Sequence, residues 1–170
     1  MINYLDKFRL DGKIALVTGG SRGLGLECAT ALSQAGARIA VLARRESFFE
    51  ETRKALPDAM CLLGDVSMES DVQRAVQNVS EQMGTIDILV NAAGISWSAP
   101  AIETSAEQFQ HVMQVNVNGV FHACKAVAPG MRERGYGKIV NIASVAGIKA
   151  EPPETLDAVS YSTSKGAVIQ

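Results

Sequence analysis

Residues 14 to 25 read Ile-Ala-Leu-Val-Thr-Gly-Gly-Ser-Arg-Gly-Leu-Gly, an apolar run of strand length, then glycines at 19, 23 and 25, then a helical pattern. Leu24, Leu26, Ala29 and Leu32 carry that pattern forward. Glycines between a strand and a helix let the backbone turn sharply and approach a pyrophosphate. The pyrophosphate then sits at the helix N-terminus, where free N–H groups point outward. A βα turn without a ligand is the alternative, and three spaced glycines after Thr18 favour the ligand.

The rest of the chain repeats this strand-then-helix order. Strand-like runs fall at 13–18, 37–43, 59–64, 86–91 and 137–143, with helical candidates at 23–35, 46–55, 68–83 and 105–129. Such alternation implies an α/β fold, a Rossmann-type doubly wound parallel sheet covered by helices on both faces. At 170 residues the chain reads as a single dinucleotide-binding domain, residues 1–170. Ser67 is placed to cap the third helix and Gly84 to close it, with Val72, Val76, Val79 and Met83 spaced for one buried face. There is no internal repeat, low-complexity tract or linker.

Thr18, Asp65, Asn91 and Ser144 each fall at or just past the C-terminal end of an expected strand. In open parallel sheets that edge is where ligands bind. For Asp65 and Asn91 two readings stay open, site residues or turn and cap residues. The fourth helix carries an apolar stripe of Phe109, Val112, Met113, Val120, Ala123, Cys124 and Val127, and Asn116 falls on it. A buried amide costs several kcal/mol unless its groups find partners, so Asn116 is either a satisfied core amide or part of a site.

Seventeen residues after Ser144 comes Tyr161-Ser162-Thr163-Ser164-Lys165. Tyr and Lys at i and i+4 share one side of a helix. An ammonium beside a phenol favours the phenolate and tunes a proton donor towards the range that carbonyl reduction needs. Taken alone, the pair is a common helix-surface spacing.

Composition closes off several classes. The formal charge of −2 gives no reason to expect nucleic acid or an anionic membrane. Met1 to Gly12 carries charges and no long apolar stretch, and no segment has bilayer-spanning length, so a cytoplasmic protein is expected. Cys28, Cys61 and Cys124 lack zinc-ligand spacing and read as buried free thiols. His111 and His122 have no carboxylate or thiol companions in register, so no metal is expected.

With these motifs in place, the chain resembles the short-chain dehydrogenase/reductase family over essentially its whole length. Thr18-Gly19-Gly20-Ser21-Arg22-Gly23-Leu24-Gly25 is similar to that family's cofactor loop, and Gly64-Asp65-Val66 to its adenine-contacting segment. Asn91-Ala92-Ala93-Gly94 resembles its Asn-Asn-Ala-Gly motif, with Ala92 in place of the second Asn. Asn116, Ser144, Tyr161 and Lys165 match its catalytic tetrad in order.

The resemblance implies that Tyr161 is the general acid in reduction and the base in oxidation. It gives Lys165 the cofactor ribose, Ser144 the substrate oxygen, and Asn116 a water linking Lys165 to solvent. It also implies an oxidoreductase acting on a small carbonyl or alcohol, and a homo-dimer or homo-tetramer of the full-length form. The helices corresponding to 105–129 and the one beginning near Ser160 would pack around a two-fold axis. Val117, Gly119 and Ala126, beyond the core stripe, suit a second packed face.

NADP(H) is expected in preference to NAD(H). No carboxylate ends the second strand; Ala43 stands there and Arg44 follows, with Arg22 nearby in the glycine loop. Both arginines as solvated surface residues is the competing reading.

Two departures stand out. The gap from Ser144 to Tyr161 is longer than in most relatives, and its extra residues fall in 150–158. That loop resembles the subgroup of gluconate 5-dehydrogenase, a pointer to polyol or sugar-acid substrates. The chain also ends at Gln170, early in the Tyr161 helix, so the fold is expected to be C-terminally truncated, with Ile139, Val140 and Ile142 in an edge strand. A 3-oxoacyl thioester reductase of the same family, and a dinucleotide-binding module without turnover, are the alternatives.

Overall fold

The computed structural model describes residues 4–149, 152, 154 and 156–170. Its elements run β1 (Ile14–Thr18), α1 (Gly23–Gln34), β2 (Arg38–Ala43), α2 (Phe49–Ala55), β3 (Met60–Leu63), α3 (Glu69–Gln82), β4 (Ile88–Asn91), α4 (Ala106–Met113), α5 (Gly119–Glu133), β5 (Lys138–Asn141) and α6 (Val159–Ile169). All strand pairings are parallel, in the order β3-β2-β1-β4-β5. The order reverses between β1 and β4, where Thr18 stands in register with Asn91. A crevice opens at such a reversal.

The sheet is apolar on both faces because helices cover both. Ile14, Leu16, Ala40, Leu42 and Leu89 pack under α3 and α5 with Val72, Val79, Ala123 and Val127. Their neighbours Ala15, Val17, Ile39, Val41, Ile88 and Val90 face the other way, onto Leu26 and Ala29 of α1, Phe49 of α2 and Leu56 just after it. This is the period of two expected of a strand. At the N-terminal edge the buried Asp87 accepts from the Ile14 N–H at 3.0 Å and from Arg134 at 2.9 Å, a structural role only. β5 is the outer strand beside β4, and all four of its residues are exposed.

Three details depart from the sequence expectations. Met68, not Ser67, is the N-cap of α3, with no side-chain bond. The Ser67 hydroxyl and N–H both donate back to Asp65 Oδ1, at 2.7 Å and 2.9 Å. Gly84 does close the helix, at φ 111°, donating its N–H to Val79. The fourth helix begins with a capping box between Ser105 and Gln108 and passes through a π turn, Gln114–Asn118. It then continues beyond Pro129 to Glu133. Pro129 and Lys125 are both exposed, so the carbonyl that the proline leaves unbonded lies on the wet side of the helix. Finally, Cys28, Cys61 and Cys124 are free but half-buried, and burial pushes the Cys61 and Cys124 thiols up.

Candidate active site

The glycine loop follows β1 directly. Gly19 (φ 67°) donates its N–H to Leu42 at 2.8 Å and lies so close to the next segment that a Cβ would stand 2.7 Å from the Ala93 backbone. Gly25, in the first turn of α1, is pressed against Gly19, whose carbonyl a Cβ would overlap. No side chain caps α1, whose N-cap is Arg22. Its first-turn N–H groups are therefore available to an anion.

A cleft of about 390 Å³ opens along this loop at the C-terminal edge of the sheet. Gly19, Ser21, Arg22, Gly23, Leu24, Gly25, Arg44, Asp65, Val66, Ala92 and Gly94 all line it. Thr18 and Asn91 do not line it. They are buried in the strand ends, where the Asn91 amide donates to Asn141 at 3.0 Å and Thr18 Oγ1 to Asn91 Oδ1 at 3.4 Å. Arg45 and Phe48 also line the cleft and went unnoticed in the sequence. The Phe48 ring carries the guanidinium of Arg22 at 4.9 Å and that of Arg45 at 5.5 Å.

Asp65 turns out to be both a turn residue and a cleft residue. Its Oδ1 accepts from the Ser67 N–H and hydroxyl, and Oδ2 lies 3.5 Å from Arg44. Burial alone would raise this carboxyl. The two bonds from Ser67, with Arg44 beside it, outweigh that and hold it below its ordinary value.

Asn116, Ser144, Tyr161 and Lys165 lie outside the cleft lining, beyond Gly94. Asn116 is 1% exposed, turned inward by the π turn. Its Oδ1 accepts from the Ile95 N–H at 2.9 Å, and its Nδ2 donates to the Ile95 carbonyl and to Ser164 Oγ, both at 2.9 Å. The Ser164 hydroxyl donates to the Tyr161 carbonyl at 2.7 Å, so Asn116 grips α6 through Ser164. Ser164 escaped the sequence reading, although it sits three residues after Tyr161 on the same helix face.

Lys165, 8% exposed, donates from Nζ to the Ile142 carbonyl and lies 5.7 Å from the Tyr161 ring centroid. Burial lowers its pKa. The Tyr161 hydroxyl is engaged by no side chain among the described residues. Ser144 caps the turn Val145–Gly147, its Oγ accepting from the Ala146 N–H. Gly147 carries that turn onto α6, where a Cβ would stand 2.5 Å from the Lys165 carbonyl carbon.

One position joins the two halves. A Cβ at Gly94 would stand 3.4 Å from Asn116 Oδ1 and 3.9 Å from Lys165 Nζ, yet Gly94 also lines the cleft. Gly94 thus stands between the cleft and the Asn116–Lys165 pair. Beyond it, the segment after β4 is stitched to the one before α6. Ala99 and Ser98 both donate to the Asp157 carbonyl, and Ala99 bridges Ala158. Of the longer loop at 150–158, Ala150, Glu151, Pro153 and Thr155 lie outside the described residues. No helix among the described residues is long and apolar enough to cross a membrane.

Residues 13–170 match the family model described as short chain dehydrogenase. The chain belongs to the short-chain dehydrogenase family. Among its relatives, 2-(R)-hydroxypropyl-CoM dehydrogenase of Xanthobacter autotrophicus is 44% identical over 166 residues, covering 93% of this chain and 65% of that protein. Gluconate 5-dehydrogenase of Gluconobacter oxydans is 38% identical, covering 98% of this chain and 65% of that protein. A crystal structure of a gluconate 5-dehydrogenase from Burkholderia cenocepacia, in complex with NADP and tartrate, superposes with a TM-score of 0.89 at 39% identity. The match there covers 98% of this chain and 65% of that one. The chain therefore spans about 65% of the length of these relatives.

Proposed function

We propose that the protein, as the single dinucleotide-binding domain 1–170 or with further chain, transfers a hydride between NADP(H) and a carbonyl or secondary-alcohol substrate of the polyol or sugar-acid class. The observation that carries this reading is Gly94, which lines the cleft and lies beside Asn116 and Lys165. The residues fit the cofactor piece by piece. The Ser21–Gly25 loop and the α1 N-terminus suit a pyrophosphate. Asp65 and Val66 suit the adenine, and Tyr161 and Lys165 the nicotinamide ribose. When bound, NADP(H) supplies or accepts the hydride.

The chain's own part is proton transfer and charge stabilisation. Tyr161 Oη gives its proton to the developing alkoxide and recovers it in oxidation, while the Ser144 hydroxyl donates a second hydrogen bond to the same oxygen. Lys165 places a positive charge one turn from the phenol, and Asn116 with Ser164 holds that turn at a fixed distance from Ile95.

The preference for NADP(H) rests on the end of β2. Ala43 offers no carboxylate to a ribose 2′-hydroxyl, whereas Arg44 and Arg22 both line the cleft. Arg44→Ala is expected to weaken NADPH binding about tenfold to a hundredfold while leaving NADH binding nearly unchanged, the loss of one charge-assisted bond to phosphate. Fluorescence titration of the intact protein with both nucleotides checks this. Equal or tighter NADH binding in the wild type refutes the preference. For the substrate class, reduction of sugar-acid ketones set against 3-oxoacyl thioesters decides.

A homo-dimer or homo-tetramer is proposed for the intact protein. Phe121 on α5 and Val159 and Ile169 on α6 are exposed apolar residues suited to covering by a second copy. Gly119 drops out of that surface. It is buried inside the chain against Val66, whose Cγ2 would lie 2.7 Å from a Cβ there. A monomeric mass by light scattering at micromolar concentration contradicts the assembly.

A further inference from the structure

Two consecutive carbonyls of the loop after β3 are held by side chains of one distant helix. Gln114 Nε2 donates to the Ser67 carbonyl at 3.0 Å, and His122 Nδ1 lies 3.0 Å from the Val66 carbonyl. A carbonyl only accepts, so the imidazole carries its proton on Nδ1. Between these two, Gly119 lets the Val66 side chain rest on the helix backbone. The π turn makes this possible. Its i→i+5 bond, from the Gly119 N–H to the Gln114 carbonyl, stacks residues five apart. Gln114 therefore shares a face with Gly119, while Asn116 between them points to Ile95 and α6.

The held peptide is the one that orients Asp65. Ser67 donates its N–H and its hydroxyl to Asp65 Oδ1, while its carbonyl is the group that Gln114 takes. Asp65 and Val66 in turn line the cleft. From this geometry we infer that Gln114 and His122 are positioning residues for the adenosine end of the cofactor. They fix the 65–67 loop on the same helix that carries Asn116, so both ends of the cofactor are referred to one rigid mount. The inference rests on the dinucleotide reading of the cleft. It assigns the helix a second task, setting nucleotide affinity, apart from the chemistry at Tyr161.

The test titrates the intact protein with adenosine 2′,5′-bisphosphate, a probe of the adenosine half alone, and measures KM for NADPH and kcat beside it. His122→Phe keeps a ring and loses the donor. Gln114→Glu keeps the shape and turns an acceptor towards the Ser67 carbonyl. Each is expected to weaken bisphosphate binding and raise KM about threefold to tenfold, the worth of one hydrogen bond, with kcat at saturation within about twofold of wild type. His122→Asn, whose amide nitrogen falls near the place of Nδ1, restores the binding. Thermal melts identify any variant that loses its fold, and the remaining one with the Asn rescue then decides. Wild-type affinity in folded His122→Phe and Gln114→Glu overturns the inference, as does a fall in kcat at unchanged KM. A wild type that binds none of the bisphosphate, NADPH and NADH fails the dinucleotide reading itself, a separate outcome.

Discussion

Tyr161→Phe in the intact protein is expected to bind NADPH as tightly as the wild type and to lose turnover by about 10²- to 10⁴-fold, the usual worth of a positioned proton donor. The substitution keeps the ring, and with it the packing of the first turns of α6. What it removes is a hydroxyl that no side chain engages among the described residues. The backbone of Tyr161 stays tied through Ser164 to Asn116, so the helix does not move. An effect on kcat without one on cofactor affinity is the signature of an interaction made only in the transition state. Turnover near that of the wild type refutes the assignment.

Lys165→Met is expected to act in two opposite directions. Activity falls at least as far as in Tyr161→Phe, because one ammonium serves both the phenol and the ribose. The protein without cofactor, in contrast, melts at or above the wild-type temperature. Lys165 is buried, and among the described residues its ammonium has no carboxylate partner and donates to the Ile142 carbonyl. Leaving that carbonyl unpaired costs about 1–3 kcal/mol, less than the several kcal/mol that a desolvated, unpaired charge costs.

The pH dependence follows from the same burial. Because burial lowers the Lys165 pKa from 10.5, the unfolded chain binds more protons than the folded one between the lowered value and 10.5. Wild-type stability gains from Lys165 as pH rises through that window, and the penalty is fully present below it. Lys165→Met removes that slope. A lower melting temperature with the slope intact contradicts the account.

Much of this site could be read before the fold was seen, for a physical reason. Strand ends, glycine loops and a Tyr–Lys pair one turn apart are local features, and local spacing survives in sequence. Asn116 was visible as an amide on an apolar stripe. What could not be read depends on contacts between distant segments. The π turn has no composition of its own, so nothing in Gln114–Asn118 announced that Gln114 and Asn116 would serve opposite sides of the helix. Gly119 looked like a surface for another copy because small residues suit any close approach; the approach is by Val66. Ser67 is a reasonable cap by type, but it sits one residue before the N-cap, in a turn that its N–H and hydroxyl close onto Asp65. Ser164 and Gly147 matter only because α6 docks against the π turn and the turn after β5.

The most direct test of the central claim is to mix the intact protein with NADPH and a panel of sugar-acid and polyol-derived ketones and follow the loss of reduced-nicotinamide absorbance. The account predicts oxidation of NADPH by at least one of these carbonyls, slower with NADH, and abolished by Tyr161→Phe while NADPH stays bound. NADPH that binds and is oxidised by none of them, or oxidised as fast by Tyr161→Phe as by the wild type, would contradict it.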